Sequence, residues 1–332
     1  MEQIIQLELY LKYLAYFKPR YLELLNINKI IKSTNYFNSL FIQNYIDDFS
    51  IEGRGIEYLN SIEDSFLARQ EGVKNLLCFL NQDNSLNFTK DYIICDVLAG
   101  NGYVNKITNH ILSRSKSPIF INSDISYFMF KKCLEQGLFA AWQSADNLFW
   151  LKSNVVDSVL FAYGTHHIQK EQRPKAVEEA ARILKKNGKL VMHDFEIDSK
   201  MDLWFRNVVN IFSKTKHNYP HFEKQEMINL AQNAGFSKIN IFYIDDPFII
   251  VSNTLDSAIL KLGKYVQDMY GLIKLNENFP KLLNLIEEFF GIHDKKVSEN
   301  LYEVKVIRNA MVCCAVKDKD SGFIQKFRSF EG

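Results

Sequence analysis

Between residues 91 and 247 short apolar runs alternate with stretches whose apolar residues fall three and four positions apart. The runs are Tyr92–Val97, Pro118–Asn122, Val155–Ala162, Lys189–His193 and Ile239–Tyr243. The stretches between them are Val104–Leu112, Tyr127–Gln136, Pro174–Leu184 and Glu226–Ala234. Period-2 and apolar runs of this length predict strands, and the 3.6-residue spacing predicts helices. Strands apolar along most of their length predict a mostly parallel sheet with helices on both faces. Residues 1–90 read as helical, with Tyr58–Leu80 as one apolar-periodic stretch and with breaks at Pro19 and at the pair Gly53 and Gly55. Residues 248–332 predict helices over Leu255–Tyr270 and Phe279–Phe290 and a strand over Asn309–Lys317. Pro247–Val251 competes with that strand for the final place in the sheet. The chain thus divides into a helical extension (1–90), an α/β core (91–247) and an insertion plus final strand (248–332).

Composition narrows the function classes. Of 332 residues, 47% are hydrophobic and 24% charged, enough to bury a full core. The net charge of +1 argues against a protein that coats a polyphosphate, so no nucleic-acid partner is expected. No apolar run reaches the ~18 residues of a membrane span, and the first residues lack a signal-peptide pattern. The five cysteines form no CxxC pair, which suits a reducing compartment. A cytoplasmic protein is expected.

In an open parallel sheet ligands bind at the carboxyl ends of the strands. The first strand runs into Asp96-Val-Leu-Ala-Gly-Asn-Gly102. Gly100 and Gly102 let the backbone approach a ligand, but Asn105 stands where the dinucleotide fingerprint needs a third glycine. Asp96 would repel a pyrophosphate and suits an ammonium group instead. The second strand ends at Asp124, placed either to accept both hydroxyls of a ribose or to cap a helix together with Ser126. Ser144-Ala145-Asp146-Asn147 precedes the fourth strand, which ends Ala162-Tyr163-Gly164-Thr165-His166-His167.

In this order the residues resemble the class I S-adenosylmethionine (SAM)-dependent methyltransferases, most nearly the ubiquinone- and menaquinone-biosynthesis type. Asp96-x-x-Ala-Gly-Asn-Gly is similar to that family's glycine motif, with Leu98 in place of its first glycine. Asp124 is similar to its ribose-binding acid, Ala145–Asn147 to its adenine-contacting segment, and Glu178–Leu190 and Glu226–Phe236 to its later helix-turn segments. The resemblance covers about residues 91–245. It implies a Rossmann-like, seven-stranded sheet with the seventh strand antiparallel, SAM as cofactor, and contacts to it from Asp96, Ala99, Gly100, Gly102, Asp124, Ile125, Ala145, Asp146, Asn147, Tyr163 and Gly164.

His166 and His167 follow the fourth strand, where a general base or a pocket wall is expected. A metal is not expected, because adjacent histidines point to different sides and no third ligand is spaced to join them. The function implied is methyl transfer to a small, aromatic or apolar metabolite. Two alternatives are a non-methylating cyclisation or rearrangement in the same pocket, which Leu98 keeps open, and methylation of RNA or protein. The tyrosine-rich extension is expected to cover the acceptor site, and the apolar face of Phe279–Phe290 to dock on the core or on a second subunit of a homodimer.

Overall fold

The computed structural model describes residues 2–33, 48–112, 116–217 and 219–318. Seven strands form one sheet in the order β3-β2-β1-β4-β5-β10-β6. They are β1 (Ile93–Asp96), β2 (Ile119–Asp124), β3 (Ala140–Trp142), β4 (Val156–Phe161), β5 (Leu184–Asp194), β6 (Ser237–Asp245) and β10 (Asn309–Val316). β10 lies antiparallel to both of its neighbours, while β1 to β5 pair in parallel. The expected seventh strand is therefore the one at residue 309.

Strand side chains alternate between two cores, one on each face of the sheet. Ile93, Cys95, Val159 and Phe161 join the first, and Ile94 and Leu160 join the second. Each such burial is worth about 1.5–3 kcal/mol, so a one-residue slip in register would expose the whole set. Helices α7 (Tyr127–Glu135), α8 (Arg173–Ile183) and α10 (Lys224–Asn233) cover the first face. Pro174 sits in the first turn of α8, where its missing N–H costs nothing. Helices α5 (Gln70–Leu80), α6 (Tyr103–Ile111), α11 (Leu255–Tyr270) and α12 (Phe279–Phe290) cover the second. Leu282 and Ile286 on α12 are buried there, so its apolar face is docked on this chain's own core.

The extension is divided in two. α1 (Glu2–Phe17), α2 (Pro19–Leu24) and α3 (Ile27–Lys32) pack by Leu14, Leu24, Leu25 and Ile30 on the first core. The Tyr10 hydroxyl donates to the Ala140 carbonyl at 3.0 Å and accepts from its N–H at 3.1 Å, which occupies the open edge of β3. The second part begins at Asp48, and α4 (Gly55–Asp64) packs against α11. Tyr36, Phe37, Phe41 and Tyr45 lie outside the described residues.

The insertion is not purely helical. β7 (Phe248–Ser252), β9 (Leu301–Val306) and β8 (His293–Ser298) form a separate antiparallel sheet in that order. The competing candidate at Pro247–Val251 belongs to this sheet, because its pairing partner is Tyr302–Val306 and not β5. Among the described residues no helix is long and apolar enough to cross a membrane.

Candidate active site

The chain leaves β1 towards β2 and β3, then returns to β4 on the other side of β1. The loops after β1 and β4 diverge at this reversal and open a crevice. An open cleft of about 810 Å³ lies there, lined by Leu98, Ala99, Gly100, Asp124, Ile125, Tyr163 and Gly164 among others. Gly100 and Gly102 take φ of +54° and +76°, left-handed values that the tight turn requires. Gly102 faces away from the cleft, since a Cβ there would meet Leu138 Cδ1 at 2.5 Å. Asp124 Oδ2 accepts the Gly100 N–H at 2.7 Å and Oδ1 accepts the Ser126 N–H at 2.8 Å. Ala145, Asp146 and Asn147 follow β3 and do not line the cleft; Asp146 Oδ1 takes the Ser144 hydroxyl at 2.5 Å.

Two buried ionisable groups near this crevice have no oppositely charged partner among the described residues. Asp96, 1% exposed, has neither carboxylate oxygen bonded, and burial together with the Asp124 charge pushes its pKa up to about 8. Arg69, 3% exposed, stacks between the rings of Tyr103 and Tyr163, with centroids at 4.4 and 4.5 Å. It donates to the Tyr58 hydroxyl at 3.3 Å, its Nε is unbonded, and no carboxylate among the described residues pairs with it. Sequence reasoning missed Arg69. The helix expected over Tyr58–Leu80 is broken at Ser65–Arg69, which turns that guanidinium inward at the start of α5.

A second, narrower cavity adjoins the first. Phe49, Tyr58, Arg69, Tyr163, Gly164 and His167 form a wall common to both. Beyond it lie His166, His193, Phe195, Phe205, Met269 and Tyr270, together with Arg54 and Arg308. Both arginines are already neutralised, Arg54 by Asp48 at 2.9 Å and Arg308 by Asp246. Residues 8–33 contribute nothing to either lining, whereas residues 48–69 contribute four side chains.

His166 Nδ1 bonds the Asp194 carboxylate at 2.9 Å. Burial alone would raise the Asp194 pKa, but its hydrogen bond with His166 and the nearby His221 hold it down to about 2. Burial pushes His167 well below the usual imidazole value, with His166 adding to the shift, so His167 is neutral and can accept a proton. The two rings were expected to point to different sides. Instead their centroids lie 4.6 Å apart, because the backbone turns tightly over Thr165–His167.

Residues 96–192 match the family model described as a methyltransferase domain. That stretch is similar to methyltransferase domains. The chain's architecture is that of phosphoethanolamine N-methyltransferase 2 from Haemonchus contortus in complex with SAM, at 15% identity and a TM-score of 0.52. That likeness covers 82% of this chain and 59% of the other. Also similar are the YcgJ protein from Bacillus subtilis (16% identity, 75% and 99% of the two chains, TM-score 0.48) and a SAM-dependent methyltransferase from Archaeoglobus fulgidus (15%, 78% and 100%, 0.46). No curated protein matches the sequence.

The crevice fits SAM, the ligand of the Haemonchus contortus structure and the cofactor that the sequence resemblance implies. SAM ends in a zwitterion; Arg69 lines the cleft, and Asp96 lies buried at the end of β1 just outside its lining, so one group suited to each end charge stands near that end. Asp124 lines the cleft, and its carboxylate oxygens are acceptors of the kind ribose hydroxyls need. Asp124→Ala removes those acceptors and also frees the Gly100 loop. At about 1.5–3 kcal/mol per charge-assisted bond, calorimetry should show SAM binding weakened by at least tenfold, while NAD binds neither form.

A pH dependence follows from Asp96. Below about 8 its carboxyl is protonated in the free cleft and must release a proton to hold an ammonium. Above that range the cofactor's own α-amino group, whose ordinary pKa is about 7.7–8.0, loses its charge. SAM affinity should therefore peak near pH 8 and fall on both sides, by roughly tenfold between pH 7 and pH 6. Asp96→Asn should bind more weakly and flatten the acidic limb in the same titration.

Proposed function

We propose that the protein transfers the methyl group of SAM to a small, aromatic or apolar metabolite seated in the second cavity. The observation that carries this reading is the common wall, in which the two cavities meet at Tyr163, Gly164 and His167. A methyl group at the end of the cofactor would enter there. The sulfonium is already activated, so the protein's work is to hold the nucleophile in line at ~3–3.5 Å and keep water out. Phe49, Phe195, Phe205, Met269 and Tyr270 supply apolar walls suited to a flat ring. Arg54 and Arg308 are each paired with a carboxylate, so Arg69 in the common wall is the arginine of this lining that no carboxylate among the described residues neutralises. His166 and His167 border the acceptor and are the candidate bases. An RNA or folded protein would have to thread a single group into this cavity, which favours a free small molecule.

Mass spectrometry of ligands released on denaturation, followed by assay with methyl-labelled SAM against small phenols, amines and enolisable ketones, tests the proposal. The expected result is label in a small product with stoichiometric S-adenosylhomocysteine. Label recovered only in RNA or protein, or conversion of the bound metabolite without methyl transfer, would sink it.

A further inference from the structure

Four of the chain's seven histidines meet behind the wall of the acceptor cavity: His166, His167, His217 and His221. The first two follow β4. The others lie in the segment before α10, spaced four residues apart. His166, His217 and His221 are 4%, 7% and 2% exposed. Among the described residues no group bonds His166 Nε2, His221 Nε2 or either ring nitrogen of His217. The free nitrogens are not left so by chance orientation. His166 Nδ1 is held by Asp194, and His221 Nδ1 by Asp202 at 2.7 Å. A carboxylate on Nδ1 fixes the proton there and presents Nε2 as a lone pair, which is how metal-binding imidazoles are oriented.

The two segments are also tied together. Arg173, 2% exposed, donates to the Ile168 and Pro220 carbonyls at 3.1 and 2.5 Å and pairs with Glu226. The histidines are thereby anchored from both sides before any ligand arrives.

We propose that His166, His167 and His217 bind a divalent transition-metal ion whose remaining positions face the acceptor cavity. One nitrogen from each lies within 4.8 Å of the other two. Metal–nitrogen bonds of about 2.0–2.1 Å place tetrahedral ligands about 3.4 Å apart, so small side-chain rotations complete the set. His221 stands beside this trio, its ring 4.7 Å from that of His166, and groups with His166 and Asp194 rather than with His167 and His217. Three imidazoles without an inner carboxylate suit zinc, iron(II) or cobalt(II) and not magnesium or calcium. Since His166 and His167 line the acceptor cavity, an oxygen of the acceptor is the natural further ligand. This last point rests on the proposed acceptor site; the metal site itself does not.

The test uses the full chain without a histidine tag. Elemental analysis of the purified protein, then titration of chelator-stripped protein with cobalt(II) followed by visible absorption, reads the metal directly. SAM calorimetry on the same samples reads the cofactor cleft. The expected result is about one metal per chain, and a cobalt spectrum that His217→Gln weakens by at least 100-fold in affinity. Asp194→Asn, which keeps every ligand, should weaken it by about 10–100-fold. Unchanged SAM binding shows that the variants are folded; if His217→Gln does not fold, the less buried His167→Gln replaces it. Absence of metal with no cobalt binding below millimolar, or cobalt binding that both histidine variants leave unchanged, overturns the site. Metal bound by a protein that fails to bind SAM would overturn the cofactor reading and leave this one standing.

Discussion

Replacement of His167 by Ala should lower turnover by roughly 10²–10⁴ while leaving SAM affinity within a few-fold. His167 is the one histidine that borders both cavities, so it stands where methyl donor and acceptor meet. Its neutral imidazole can accept the proton that an attacking hydroxyl, amine or carbon acid must lose, or hold an ion that makes that loss easier. Either role acts on the acceptor and not on the donor. Single-turnover rates with labelled SAM, alongside calorimetry, separate the two effects. His166→Ala should show a similar loss, because the Asp194 bond fixes its ring beside His167. Near-normal turnover in both variants would mean that placement alone drives the reaction and that these rings are only wall.

The second large effect concerns Arg69. If its guanidinium takes the carboxylate of the methionine end, Arg69→Gln strands that charge in a buried site. Truncating one partner of a buried, hydrogen-bonded charge pair costs about 2–5 kcal/mol, so SAM should bind on the order of 10²–10³-fold more weakly. S-adenosylhomocysteine shares the amino-acid end and should weaken equally. Methylthioadenosine lacks that end and should bind both forms alike. An equal loss for all three ligands would show instead that the variant disturbs Tyr58, Tyr103 and Tyr163, whose rings surround the guanidinium.

Much of the fold was legible because its signals are local. The strands at 93, 119, 156 and 309 carry continuous apolar runs, and α11 and α12 begin and end at the residues the periodicity predicts. β8 was not legible, since every residue of His293–Ser298 is exposed and no alternation marks it. Phe248–Ser252 reads equally well as a strand of either sheet; only its distant partner decides. Within the site, the strand-end residues Asp96, Gly100, Asp124 and Tyr163 could be read from their place after apolar runs. Arg69 could not, because neither glycine nor proline marks the helix break that turns it inward. Nor could the meeting of His217 and His221 with His166, for it requires a loop some 50 residues downstream to fold back beside β4 and β5. Spacing along the chain sees only ligands that share an element.

The placement of β10 has a consequence for the order in which the protein is made. This strand fills an interior position of the sheet, between β5 and β6, yet it is the latest of the seven in sequence. Until it emerges from the ribosome, β5 and β6 have no common partner and the sheet stands open along two edges. The cofactor cleft draws mainly on residues 49 to 167, whereas the second cavity also requires Met269, Tyr270 and Arg308. Most of the donor-cleft lining is thus synthesised some 140 residues before Arg308 of the second cavity, and the chain must carry that half-built site until the closing strand arrives.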